Sequence, residues 1–292
     1  MESIIQIFVS GLTLGAMYAV GTVSLSLLWG AVNVLNMAHG ALLVIGGYAS
    51  WYTATRLGIP PFLGYFSAAL VSATMAVLMY LLILRWLKGR RGADVLIIVA
   101  TFAIAMILEN VVLNVFGGYA VAQPAKLSGG VYISSVFVPA QNILIMVLAL
   151  VLMALLALIL QRTALGRSIR AVAQNSQAAV LMGIKVQHTY IAVYAIAGAF
   201  AGFSGVLWSS ISTLSPTMGF DPMLKAFVIC VAAGLGQIGG ALAVAILLGL
   251  AEAAIQYYVG VRFALPFLLL AVVALLIVRP QGLFGIHGKA RQ

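Results

Sequence analysis

Between Ile143 and Leu160 the chain reads ILIMVLALVLMALLALIL, eighteen residues without one polar side chain. At about 1.5 Å per helical residue such a run crosses a hydrocarbon layer roughly 30 Å thick. Runs of this kind recur from end to end, so the chain is read against a bilayer rather than against water. Composition agrees: 64% of the 292 residues are hydrophobic and 7% charged, with a mean hydropathy of +1.18. That excludes a water-soluble globular domain. Strands of an outer-membrane barrel would alternate polar and apolar residues with period two, and these runs do not. The expected fold class is all-α, a polytopic integral membrane protein with one transmembrane domain over 1–292.

Apolar segments fall near 3–30, 37–54, 61–87, 95–116, 142–161, 189–213, 223–236, 239–259 and 264–279. The start, MESIIQIFVSGL, lacks a basic n-region and a small-residue cleavage site, so it is expected to be the first span rather than a removable signal. Three basic clusters stand at the ends of spans: Arg85, Lys88, Arg90 and Arg91; Arg162, Arg167, Arg170 and Lys185; Arg279, Lys289 and Arg291. They hold eleven of the fifteen basic residues, and the positive-inside rule puts all three in the cytoplasm. Position thus accounts for the +10 net charge without nucleic acid. Arg56, Lys126, Lys225 and Arg262 then fall outside. The map closes with the N-terminus outside, the C-terminus inside and about nine crossings, eight to nine in all. Its weak points are 37–54, which begins at the polar NVLNMAHG, and 223–236, which is too short to span. Either suits a half-helix or re-entrant piece. In LENVVLNVFGG and LAEAAIQYYVG a glutamate precedes a glycine by eight residues, Glu109 to Gly117 and Glu252 to Gly260. A parallel 4+4 repeat would explain the match.

Residues 162–188 form a connection longer than chain reversal needs. Asn175 or Ser176 can cap a helix there, SQAAVLM supplies helix formers, and Gly183 can end it in a left-handed conformation. On that helix Ala178, Leu181 and Met182 share one face, a short apolar knob beside Arg167, Arg170 and Lys185. Such a knob can lie on lipid headgroups or dock in a protein groove. An apolar face about two turns long and partly alanine buries little area, which suits a groove better.

The stretch GRSIRAVAQNSQAAVLMGIKV, residues 166–186, resembles the cytoplasmic coupling loop of the Liv-type branched-chain amino-acid ABC permeases. The similarity covers nearly the whole chain. GLTLGAMYAVGTVSLSLLWGAVNVLNMAHGALLVIGGY is similar to the family's first two helices, and MILENVVL, SPTMGFDPMLKAFVICVAAGLGQIGGA and RPQGLFG resemble its later signatures in order. One departure is Gln177, where the family often carries an acidic residue before the double alanine. The resemblance implies a permease of the shorter, H type, in a bacterial inner membrane. It pairs with a second permease subunit, is driven by two cytoplasmic ATPase subunits, and is fed by a periplasmic binding protein. It makes Ser176, Gln177, Ala178, Ala179, Leu181, Met182 and Gly183 the ATPase-coupling residues. The chain itself contains no G-x-x-x-x-G-K-[ST] phosphate loop, so energy is expected from a partner. Relatives serving urea or short amides, and a self-sufficient carrier coupling ions through Glu109 and Glu252, are the alternatives.

Ionisable groups at membrane depth are functional candidates by default. Glu109 and Glu252 each lie about 20 Å from the inner start of their helices. They are either interfacial and bonded to Asn110, Asn114 or Gln256, or placed at the external mouth where a carboxylate receives the substrate's ammonium. Asn33, Asn36 and His39 open the second segment. Asn36 can cap it and His39 can be a buried donor; lining the inner pathway is the other reading. Asp221 as N-cap and Pro222 at the first helical position are expected to start a helix on the outer side. Lys225 in its first turn opposes the helix dipole, so it is expected either to serve a partner or anionic substrate group or to snorkel to headgroups. Three scattered histidines and one cysteine make no metal set. No nucleophile–base pair emerges, so no catalysis and no cofactor is expected in this chain.

Overall fold

In the computed structural model, which describes residues 2–133 and 136–285, the apolar runs fold as helices. The first set is α1 (Glu2–Val32), α2 (His39–Thr55), α3 (Gly64–Met79), α4 (Arg85–Leu87) and α5 (Ala93–Phe116). A 3-10 turn at Pro61–Leu63 leads into α3, and a π turn at Tyr80–Leu84 joins α3 to α4, so Pro61–Leu87 is one span. An antiparallel hairpin follows, β1 (Gly130–Ile133) and β2 (Val136–Pro139), with Val131 opposite Val138. Then come α6 (Ala140–Arg162), α7 (Ala164–Gln174), α8 (Ser176–Leu181), α9 (Val186–Ile211), α10 (Phe220–Ala233), α11 (Ile238–Tyr258) and α12 (Val261–Val278). Lys289 and Arg291 of the third basic cluster lie outside the described residues.

Seven helices among the described residues are long and apolar enough to cross a membrane, not nine. The two expected segments that fall short are α2, with 17 residues, and α10, with 14. Both begin inside the protein, where their N-termini meet: a Cβ on Gly40 would stand 2.5 Å from the Gly219 carbonyl. The backbone groups freed by the first break are satisfied locally. Asn36 Oδ1 accepts from the Ala38 N–H at 3.0 Å, and Met37 N–H donates to Thr101 Oγ1 of α5 at 3.1 Å. Irregular backbone at this depth is tolerated only when protein covers it in this way. Asn36 therefore makes a turn ahead of α2 instead of capping it; the N-cap residue is Ala38. At α10 the N-cap is Gly219, not Asp221, because the close approach to Gly40 forces the chain to turn there.

Lys88, just past α4, donates to the carbonyl of Val32 at 3.1 Å and lies 3.6 Å from the ring centroid of Tyr190. The end of α1, the end of α4 and the start of α9 therefore share one end of the molecule. Tyr257 in the last turn of α11 donates to Ser3 at 3.0 Å, so α11 is antiparallel to α1. Followed through, α1, α2, α3–α4 and α5 alternate in direction, and α9, α10, α11 and α12 alternate in the opposite sense. The packing repeats likewise: α1 lies along α11 as α9 lies along α3, and α10 crosses α1 as α2 crosses α9. A residue and the one 179 positions later correspond, as in Trp29 and Trp208, Val32 and Ile211, Gly40 and Gly219. The duplication is thus inverted rather than parallel, with α6 as the odd helix that turns the second set over. Glu109 sits on the last helix of its set and Glu252 on α11, the counterpart of α3, so their shared spacing to glycine is no structural equivalence.

Candidate functional site

At the end of the molecule that carries Lys88, the 162–188 connection is two helices rather than one. Thr163 Oγ1 accepts from the Gly166 N–H at 3.0 Å and caps α7. Arg170 Nη1 donates to the Leu160 carbonyl and closes the α6–α7 corner. Asn175 closes α7 and opens α8, its Oδ1 accepting from the N–H groups of Gln177 and Ala178, both at 3.0 Å. Gly183, at φ +79°, ends the unit in the left-handed region. Ile169 and Val172 of α7 and Ala179 of α8 are buried, which anchors the loop. On the other side Gln177, Ala178 and Gly183 are exposed, and Leu181 and Met182 are 88% and 81% exposed. Ser176 is half-buried. Between the loop and the break after α1 lies a cavity of about 530 Å³, lined among others by Asn33, Lys88, Asn175, Ser176 and Tyr190. Asn33, at φ +57°, is the one non-glycine residue in the left-handed region among the described residues.

Near mid-depth a second constellation joins three of the expected residues. Lys225, 7% exposed, donates to Glu252 Oε1 at 2.9 Å, and Glu252 is 2% exposed. Asp221, 47% exposed, faces the same ammonium at 3.3 Å. Tyr18 donates to Glu252 Oε2 at 2.5 Å and accepts from Lys225 at 3.2 Å, while Gln256 donates to Glu252 Oε1 at 3.1 Å. The rings of Tyr18 and Trp208 flank the ammonium at 5.4 and 5.3 Å. Paired, hydrogen-bonded charge of this kind is the form in which ions persist away from water. Lys225 is accordingly buried against α1 and α11 and engaged by Glu252 and Tyr18 instead of extending away from the protein. The sequence reading missed Tyr18 and Trp208; a tyrosine amid small residues in a long apolar run was the available signal, since a buried phenol needs a partner.

Glu109 is half-buried and faces a cavity of about 200 Å³ with Gly40, Thr217 and Gly219, beside the meeting point of α2 and α10. Asn110 and Asn114 do not bond it: each is exposed and donates to its own helix, to the carbonyls of Met106 and Asn110 at 2.8 Å. Asn36 and His39 are buried, His39 with Nε2 3.4 Å from Ser24 Oγ of α1. At the far end the segment before the hairpin is pinned by Gln123, which donates to Ser209 Oγ at 3.0 Å, and by the Leu127 N–H, which donates at 2.9 Å to Oε1 of Gln141 in α6; Gln141 in turn donates to Ser210 Oγ at 2.8 Å.

The high-affinity branched-chain amino acid transport system permease protein LivH of Escherichia coli is 26% identical over 295 residues, 96% of this chain and 95% of that one. The corresponding BraD of Pseudomonas aeruginosa is 28% identical, with 96% and 95% covered. A probable LivH of Methanocaldococcus jannaschii is 28% identical, with 91% and 87% covered. No solved structure matches. A family model described as branched-chain amino acid transport system / permease component matches residues 7–278, and the chain belongs to that family.

Proposed function

We propose that this chain is the transmembrane permease subunit of an ATP-binding-cassette importer for branched-chain or related hydrophobic amino acids. It lies in a bacterial inner membrane as one permease domain, with the Lys88 end in the cytoplasm and the N-terminus periplasmic. Its partners are a second permease subunit, two cytoplasmic ATPase subunits and a periplasmic binding protein. The observation that carries this is α8: an apolar tip, Leu181 and Met182, held out on a loop that Ala179, Ile169 and Val172 fix to the core. Water gives such a tip no reason to be held rigid, whereas a groove on an ATPase does.

The test is Ala178→Asp and Leu181→Asp in the assembled complex. A charge desolvated in that contact without a partner costs on the order of several kcal/mol. Both variants should insert at normal levels yet release the ATPase or hydrolyse ATP without uptake. Wild-type ATP-driven uptake by both, with the ATPase still bound, would remove the coupling role. Orientation is checked separately: a reporter fused after Gly92 or Gly183 should read cytoplasm, and one in 118–129 should read periplasm. For the pathway, Glu109 is the carboxylate beside the α2–α10 meeting point, and Glu109→Gln should lower uptake without lowering the amount of complex. Glu252, engaged by Lys225, Tyr18 and Gln256, serves structure.

A further inference from the structure

Lys88 is a half-buried ammonium with no acidic partner among the described residues, at the cytoplasmic end where the ATPase is proposed to dock. It touches two elements. Its Nζ donates to Val32, the last residue of α1, at 3.1 Å, and lies 3.6 Å from the Tyr190 ring centroid. Tyr190 lines the same cavity as Ser176, the first residue of α8. Val32 is followed by Asn33, whose left-handed backbone begins the break that lets α2 start inside the membrane. The path from the docking helix to the α1–α2 break thus runs from Ser176 across the shared cavity to Tyr190, and from there through Lys88 to Val32 and Asn33. Beside it is the 530 Å³ cavity, which leaves α8 room to move toward Lys88. The π turn at Tyr80–Leu84 precedes this point by one helical turn, with Tyr80 stacked on Tyr194 at 4.9 Å and edge-on to Tyr190 at 6.2 Å. π turns of this kind commonly mark functional positions.

We propose that Lys88 is the positioning residue that transmits movement of α8 to the break between α1 and α2. The ammonium holds the α1 carboxy-terminus through a charge-assisted hydrogen bond and holds Tyr190 through its ring face, two contacts that act together only while the nitrogen is charged. The inference rests on the importer reading, and it concerns coupling rather than docking.

The groups facing Lys88 are Tyr190 of α9, Tyr80 of the π turn and Arg85 of α4; α1 and α8 present Val32, Asn33, Asn175 and Ser176, none of which titrates. Burial lowers the Lys88 ammonium to about 8. Raising pH through that value should discharge the contact.

The experiment uses the whole complex in proteoliposomes and measures uptake and ATP hydrolysis together. Lys88→Met should bind the ATPases normally and keep hydrolysing ATP, while uptake per ATP falls at least tenfold. Lys88→Arg should retain coupling and extend it to higher pH, because a guanidinium stays charged where the lysine does not. Should Lys88→Met fail to accumulate, Tyr190→Phe carries the test. It keeps the ring under the ammonium and removes only the hydroxyl of a residue that shares the cavity with Ser176, and should show a smaller fall in uptake per ATP. An unchanged ratio of uptake to hydrolysis in Lys88→Met, or in Tyr190→Phe where that variant stands in, overturns the inference and leaves the importer reading intact. A wild-type chain that recruits no ATPase overturns both.

Discussion

Lys225→Met should remove most of the folded protein from the membrane fraction. The substitution leaves Glu252, 2% exposed, as a carboxylate with only Tyr18 and Gln256 to answer it. Breaking one side of a buried pair costs about 3–5 kcal/mol, a large share of the stability of an ordinary domain. Glu252→Gln should be milder, because Lys225 keeps Asp221 at 3.3 Å and the half-exposed acid connects it to solvent. The double variant Lys225→Met with Glu252→Gln should recover much of the loss, since the one ion left without its partner, Asp221, is half-exposed. Detergent-extracted yield and thermal unfolding of the four proteins close this cycle. A double variant no better than Lys225→Met would show that the lysine matters through packing against Tyr18 and Trp208 and not through charge.

Gly205→Val should be comparably severe. A Cβ at Gly205 would overlap the carbonyl of Leu43, and one at Gly46 would overlap Gly202, so α2 and α9 touch backbone to backbone. Such approach is how membrane helices gain packing where lipid offers no hydrophobic drive. Added methyl groups must push two whole helices apart, and overpacking of this kind costs roughly 1–3 kcal/mol or more. Gly239→Ala is the control: nothing lies within 4 Å of a Cβ there. It should leave melting unchanged or raise it slightly, since alanine favours a helix by about 0.5–1 kcal/mol over glycine. Equal melting points for Gly205→Val and Gly239→Ala would sink the packing account.

What the sequence displays depends on how local the cause is. The spans are legible because bilayer thickness acts on each run by itself. The weakness of 37–54 and 223–236 is legible because a polar start and a short run are local too. The left-handed Gly183 follows from residue type alone, and so does a cap at Asn175 or Ser176, of which the fold uses Asn175. The Lys225 network does not, because its members come from α1, α9, α10 and α11, and only packing brings them together. The inverted duplication was hidden for another reason. Its best-matched positions, such as Trp29 and Trp208, sit among interchangeable apolar residues, while the more conspicuous Glu109 and Glu252 suggested a different alignment. Asp221 fails as a cap because Gly40 and Gly219 meet, a tertiary contact that sets the start of α10, and Asn36 fails because its Oδ1 is taken by the Ala38 N–H in a turn ahead of α2.

The inverted duplication leaves the two halves alike in trace but unequal in stiffness. By the 179-residue correspondence, Lys225 has Gly46 as its counterpart, and Tyr18 has Ala197. Where one half ties α10 to α1 and α11 through ions, the other rests α2 on α9 through glycines set against backbone. Drawing α10 away strands an ammonium and a carboxylate in a poorly polarisable medium; shifting α2 along α9 trades one set of dispersion contacts for another. One half is therefore a clamp and the other a bearing, and displacement through the fold is cheapest where the side chains have been pared down to hydrogen and methyl.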